Sequence, residues 1–168
     1  MESITVFRQN AAQLIAKKLS AAAGEKCVFL CIGASGVVSD SLGPKVGSIL
    51  NESQTRPLVV YGDGDGNVNA VNVSLAEKFV RAMHPDKKIV VVDAAVGDST
   101  EVGCVVVKQG GVCPGAATDK KLPQVGDVSV LGVVSMRGAE NFYRSHADRV
   151  SLVDKMAQTI AQAIMITA

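Results

Sequence analysis

Tryptophan is absent from this 168-residue sequence, and aromatic residues make up only 4% of it. A stable core must therefore come from aliphatic side chains such as Val, Ile, Leu and Ala, since 48% of the residues are hydrophobic. This composition is typical of a buried parallel sheet covered by helices. The chain is long enough to bury a core of its own, and we expect a single domain over residues 1–168.

An excess of either charge is also missing, since 17 basic and 16 acidic residues leave a net charge of +1. Without a basic stripe, nucleic acid is not expected as a partner. No apolar run approaches the length that spans a bilayer, so no membrane association is expected. The first residues, Met1-Glu2-Ser3, contain no positively charged stretch leading into an apolar one. We therefore expect no signal peptide and a cytoplasmic location.

Sequence motifs typical of zinc sites and of serine–histidine triads are missing as well. The four cysteines form no Cys-x-x-Cys pair, so a zinc site is not predicted. We expect them to be buried free thiols in a reducing compartment. The only histidines, His84 and His146, lie outside the serine-containing loop around Gly33, which argues against a serine–histidine triad.

The apolar pattern alternates between helical and extended periodicity along the whole chain. This order predicts a three-layer α/β/α sandwich with a mostly parallel five-stranded sheet. In such sheets, binding sites lie beyond the carboxyl ends of the strands. The pattern predicts strands at 27–32, 58–61, 89–92, 102–107 and 128–134, and helices at 8–23, 44–52, 71–83, 139–146 and from 149 onward.

Two aspartates follow apolar strands of this predicted sheet. Asp40 lies in the Gly/Ser-rich loop after the first strand, and Asp93 directly follows the third strand. Both loops open onto the carboxyl edge, so the two acids can meet although 53 positions separate them. Two close carboxyl groups can share a proton and activate water, which is hydrolytic chemistry. The alternative for Asp40 is a loop acid near a helix N-terminus, satisfied by backbone amides.

Three glycine-rich segments allow other interpretations. Residues 33–36 follow a strand, but the Gly-x-Gly-x-x-Gly fingerprint is incomplete and the next helix begins too late, so a dinucleotide cofactor is not predicted. Residues 63–67 resemble part of a calcium loop but lack its closing Glu, which favours a turn, with Asp63 available for substrate binding. Residues 110–115 predict a flexible loop at the edge of the site, with Gly115 as a substrate contact.

Several short motifs, in order and well spaced, resemble the spore-protease-like family of sporulation proteins (the YyaC type). The resemblance covers nearly the whole chain. It rests on Cys31-Ile32-Gly33, Ser39-Asp40-Ser41-Leu42-Gly43-Pro44, Val92-Asp93-Ala94-Ala95, Val102-Gly103, Cys113-Pro114-Gly115-Ala116, residues 121–127, Val133-Val134-Ser135 and residues 149–153.

The resemblance implies a role for the two aspartates. The family is similar to the germination protease of spore formers, whose Asp-Ala-Leu-Gly-Pro motif corresponds to Asp40 through Pro44 and whose strand-end aspartate corresponds to Asp93. Both acids are held to be catalytic there. In the more distant hydrogenase maturation proteases the corresponding acids help to bind nickel together with a histidine. The comparable segment here, residues 118–128, contains no histidine, so no metal and no other cofactor is predicted.

The sequence therefore predicts a sporulation-associated endopeptidase with a catalytic pair, Asp40 and Asp93. Substrate contacts are expected at Gly33, Gly43, Asp63 and Gly115, and small acid-soluble spore proteins are the candidate substrate. Two alternatives stay open. The uncharged run 34–36 and Asn69 depart from the family pattern, which favours a non-catalytic sporulation protein that binds a peptide or protein partner. The other alternative is a metal-dependent peptidase that uses both aspartates and Asp63.

Overall fold

A computed structural model describes residues 2–53, 57–113, 123–138 and 146–167. Within these ranges the chain forms six strands and four α-helices, connected as an α/β fold. The strands are β1 (Ile4–Thr5), β2 (Cys27–Cys31), β3 (Val60–Tyr61), β4 (Lys88–Gly97), β5 (Cys104–Gln109) and β6 (Val128–Met136). The helices are α1 (Ala11–Ala23), α2 (Leu42–Glu52), α3 (Val73–Met83) and α4 (His146–Thr167).

The sheet has the order β1-β5-β6-β4-β2-β3. The four neighbouring strands β6, β4, β2 and β3 are parallel to one another. Strand β5 runs antiparallel to β6, and β1 runs antiparallel to β5. The predicted α/β class and mostly parallel sheet are confirmed, but the predicted count of five strands was wrong. The strand that was not predicted is β1, an edge strand of two residues. It is too short to show the alternation from which strands are predicted.

Helices cover both faces of this sheet, which gives three layers. On one face, α1, α2 and α4 pack over aliphatic side chains of the central strands, around Phe29, Val90 and Val130. On the other face, α3 contributes Val73 and Val80 to a smaller cluster around Leu30. Helix α4 buries the face that its periodicity predicts, with Val153, Met156, Ala157, Ile160, Ala161 and Ile164 all nearly inaccessible.

Three element boundaries differ from the prediction in ways that affect the site. Strand β4 was expected to end before Asp93. It continues to Gly97 because it pairs with β6 as far as Met136. Helix α2 begins two residues before Pro44, since a proline is tolerated in a first turn whose amides need no helical partner. Helix α4 begins at His146, and the rest of the predicted helix 139–146 lies outside the described residues.

The cysteines are all free thiols, but they are not all buried. Cys31 and Cys104 are buried and Cys27 is half-buried, whereas Cys113 is exposed, which corrects the expectation for that residue. Burial, and to a smaller extent the charge of Asp63, raises the pKa of the Cys31 thiol to about 12. Cys31 is therefore an uncharged core residue. Within the described ranges, no helix combines the length and apolar character that crossing a membrane requires.

Candidate active site

The candidate site begins where β2 ends and its neighbour β4 continues. The last paired residues of these strands are Cys31 and Val92, and the Ile32 amide still donates to the Val92 carbonyl at 2.8 Å. Asp93 is thus the first residue of β4 beyond the end of β2, still paired with Leu131 of β6 on its other side. The loop that carries Asp40 starts at this end of β2, on the carboxyl edge of the sheet, where the binding sites of parallel sheets lie.

Two glycines pack the loop of residues 33–43 against the strand end. A Cβ at Gly33, whose φ is +148°, would lie 2.0 Å from the main-chain oxygen of Asp40. A Cβ at Gly43 would lie 2.1 Å from the main-chain oxygen of Ile32. Backbone therefore contacts backbone at both positions, and this contact fixes where Asp40 stands. The predicted substrate contact of Gly33 and Gly43 stays a prediction, since packing alone already requires glycine there.

Substituting Gly43 by alanine should destabilise the protein by about 2–3 kcal/mol, because a Cβ would force the Ile32 backbone to move. Alanine's better helix propensity offsets only about 1 kcal/mol of this. Gly36→Ala is the matched control in the same loop, since a Cβ there meets nothing within 4 Å. Urea unfolding measures both variants. Equal midpoints for Gly43→Ala and the wild type would contradict the described packing.

Asp40 is the last residue of a 3-10 turn, Val38–Asp40, which contacts both β4 and α4. Its amide donates to the Val37 carbonyl at 2.8 Å, and its main-chain oxygen accepts from the Ala34 amide at 3.0 Å. Burial raises the pKa of the Asp40 carboxyl, and hydrogen bonding with Ala34 partly offsets the rise. The N-cap of α2 is Ser41 rather than Asp40, and it makes no side-chain capping hydrogen bond, so Asp40 is not the helix cap.

Asp93 is the more strongly perturbed of the two acids. Its Oδ1 accepts a hydrogen bond from the Ala94 amide at 2.8 Å. The pKa of this carboxyl is nevertheless raised from 3.8 to about 7, mainly by burial. The charge of Asp40 contributes to this rise, and the Ala94 hydrogen bond opposes it. The two carboxyl groups thus interact electrostatically, although they are 53 positions apart in the chain. Near neutral pH Asp93 can therefore retain a proton, as a general acid must.

Asp63 has a different environment from the pair. Its Oδ2 accepts from Asn51 Nδ2 at 2.9 Å and its Oδ1 accepts from the Gly66 amide at 2.8 Å. These bonds, with Gly66 first and Asn51 second, lower the pKa of the Asp63 carboxyl. The segment 63–67 is therefore a closed turn, as predicted. A substrate contact at Asp63 remains a prediction, and Gly115 lies outside the described residues.

The described residues around the pair offer no complete set of calcium or nickel ligands. The described part of the chain contains no group of three His, Cys, Asp or Glu side chains that could hold a metal ion. The ring of His84 lies elsewhere, at the end of α3, with its Nε2 3.0 Å from the Tyr61 hydroxyl. Among the described residues, Asp40 is the acid whose charge acts on Asp93.

A groove between α2 and α4 is the feature that the sequence did not reveal. It encloses about 410 Å³ and opens beside the loop that carries Asp40, with Pro44, Ile49 and Ala157 as apolar lining. An ion pair between Lys45 and Asp154, 109 positions apart, crosses it, and no sequence pattern could link those two residues. The available signal was a polar stripe on α2 at helical spacing. The polar lining residues are Ser35, Ser41, Lys45, Ser48, Glu52, Asp154 and Gln158.

Comparison with known proteins places this chain in a family. The family described as "Protein of unknown function (DUF1256)" matches residues 4–163. The chain belongs to this family. A curated relative of this DUF1256 protein, "Uncharacterized protein YyaC" from Bacillus subtilis (strain 168), is 33% identical over 154 residues, which cover 92% of this chain and 75% of the relative. The predicted likeness to YyaC-type proteins is confirmed.

A solved structure resembles the DUF1256 fold described above. It is the crystal structure of the [NiFe] hydrogenase maturation protease HycI from Thermococcus kodakarensis KOD1, with a TM-score of 0.52. The match covers 90% of this chain and 99% of that one, at 18% sequence identity. At this identity the likeness shows a shared fold. The fold is thus one that a protease also uses, and function must be argued from the site.

Proposed function

We propose that this DUF1256 protein is an endopeptidase that hydrolyses peptide bonds with Asp40 and Asp93. The observation that carries the proposal is the placement of two acids at one strand end: Asp93 lies just beyond the end of β2, and the turn that ends in Asp40 packs against β4. Burial raises the pKa of the Asp93 carboxyl to about 7, and the charge of Asp40 contributes to this rise. Perturbed and coupled acids at the carboxyl edge of a parallel sheet are typical of catalytic positions. The protease-type fold of HycI is compatible with this chemistry.

In the proposed reaction the two acids have different roles, set by their environments. Burial raises the pKa of Asp93 to about 7, so Asp93 can keep a proton near neutrality, and we assign the ionised role to Asp40. Asp40 removes a proton from a water molecule as its oxygen attacks the carbonyl carbon, and Asp93 gives its proton to the carbonyl oxygen. The C–N bond then breaks as Asp40 returns a proton to the leaving nitrogen. Asp93 regains its proton from the collapsing intermediate, which leaves a carboxylic acid and an amine.

A sporulation role and a likeness to the germination protease are part of the proposal, and both rest on the motif from Asp40 to Pro44 and on Asp93. The location would then be the cytoplasm of the spore or the sporulating cell. The test is incubation of the purified protein with small acid-soluble spore proteins, followed by mass spectrometry of new peptide termini. New termini that the wild type generates and an Asp93→Asn variant does not would support the proposal.

The pH dependence of that cleavage follows from the same pKa values. The rate should fall above about pH 7, because Asp93 then loses the proton that it must donate. It should also fall in acid, below the raised pKa of Asp40, because a protonated Asp40 cannot accept a proton from water. Initial rates between pH 4 and 9 on one peptide measure both limbs. A rate that rises steadily through pH 9 would contradict the assignment of Asp93 as the acid.

The second candidate function is a non-catalytic protein that binds a peptide or protein partner. The uncharged run Ala34-Ser35-Gly36 beside the pair and the groove next to it favour this candidate. Binding of spore proteins without new termini, at every pH tested, would select it. A metal-dependent peptidase, the third possibility, predicts loss of cleavage on treatment with a chelator and restoration by added metal, neither of which the paired-acid mechanism predicts.

A further inference from the structure

The groove between α2 and α4 is bordered by acidic side chains. Glu52 lines it at the end of α2 and Asp154 lines it on α4. Its third border is the turn after β3, where Gly64 lines the groove between two acids of the sequence, Asp63 and Asp65. That turn is held against α2, since the Gly64 amide donates to Ser48 Oγ at 3.0 Å. The acidic border is therefore part of the fixed structure of the groove.

Among the residues that the structure describes, fewer cations than acids lie at the groove. Lys45 is the cation that lines the groove, and it forms an ion pair with Asp154. Asp63 accepts hydrogen bonds from neutral donors only, those of Asn51 and Gly66, so it keeps its negative charge. Among the described residues, Glu52 and Asp65 take part in none of the ion pairs. Over the described residues, the groove and the turn that borders it thus carry more acidic than basic side chains.

The dimensions of the groove suit an extended polypeptide segment. It follows α2 from Ser41, just before the helix, to Glu52, its last residue. A helix of 11 residues is about 16 Å long, which matches roughly five residues of extended chain. Apolar lining from Pro44, Ile49 and Ala157 lies between the polar side chains of the two helices. A groove of this kind offers apolar contact for aliphatic stems and charge for their ends.

From this placement we infer that the groove binds a basic segment of a polypeptide, with lysine or arginine side chains reaching Glu52 and the turn at Asp63 and Asp65. The inference rests on the proposed function, since it gives that site its substrate class. Apolar stems of lysine or arginine would lie along the groove while their cationic ends meet carboxylates at its border. A polyanion such as nucleic acid is disfavoured on the same electrostatic grounds.

The test is peptide binding to the Asp93→Asn variant, so that cleavage does not interfere. Fluorescein-labelled peptides of one length, rich in lysine, glutamate or serine, are titrated and followed by anisotropy. The lysine peptide should bind at least about tenfold more tightly than the other two, and more weakly as salt is raised. Adding Glu52→Lys or Asp65→Lys should each weaken it about tenfold. Both residues are exposed, so both charge reversals should fold.

Glu25→Lys is the matched control, because it makes the same change in net charge at an exposed residue before β2, on the opposite edge of the sheet. An equal loss of binding in this control would reduce the effect to overall charge and overturn the inference. Absence of binding by every peptide would overturn it as well. Failure of the proposed function looks different, since lysine peptides would then bind the groove while wild-type protein cleaves none. Conversely, if the wild type cleaves lysine and glutamate peptides at equal rates and Glu52→Lys changes neither rate, the inference alone is overturned.

Discussion

Replacing Asp40 or Asp93 by asparagine should each reduce peptide hydrolysis by roughly a thousandfold or more, within the range that positioned acids and bases contribute. Asparagine keeps the shape of the side chain but cannot accept a proton from water at position 40. At position 93 its amide can still donate a hydrogen bond, but it cannot transfer a proton to the carbonyl oxygen. The rate of release of a peptide fragment, measured at pH 6, checks both variants.

The pH profiles of these variants carry more information than the rates alone. Any residual activity of Asp93→Asn should lose the fall above about pH 7, because the group that titrates there is gone. Asp86→Asn is the control, since Asp86 is an exposed acid at the opposite edge of the sheet, just before β4. Its activity should match that of the wild type. Full activity in either variant of the pair would remove that residue from the mechanism.

Much of the fold could be predicted because its signals are local. The apolar run at Cys27–Cys31 and the period of α4 arise from residues close together in sequence. The placement of Asp40 and Asp93 at the same edge of the sheet could be predicted as well, since both follow parallel strands and such strand ends share one edge. In each case a general rule about sheets or helices replaces knowledge of the particular contact.

What could not be predicted depends on contacts between distant parts of the chain. The extension of β4 beyond Asp93 is caused by pairing with β6, some forty residues later, and nothing within β4 announces it. The ion pair of Lys45 and Asp154 depends on how α2 and α4 pack. The same holds for the burial that raises the pKa of Asp93, because strand and loop must first assemble around it. The electrostatics of the candidate site therefore needed coordinates.

Asp93→Asn, although inactive, should be more stable than the wild type above about pH 7, by roughly 2–4 kcal/mol. Burial raises the pKa of the Asp93 carboxyl from 3.8 to about 7 in the native state. The native protein therefore binds this proton more tightly than the unfolded chain does. The stability that the proton confers is fully present below pH 3.8 and is lost as pH rises through about 7. Asparagine is neutral at every pH, so it avoids this loss.

The measurement is urea unfolding of both proteins at pH 4 and at pH 8, with Asp86→Asn as the control. The difference between Asp93→Asn and the wild type should be close to zero at pH 4 and should favour the variant at pH 8. Asp86→Asn should show little difference at either pH, because its carboxyl is exposed. A variant that is less stable at pH 8 would mean that the charged form of Asp93 is stabilised by its surroundings. A carboxyl held in that way would not retain the proton that the mechanism needs, because a site that holds a buried acid ready to donate does so at the expense of native stability.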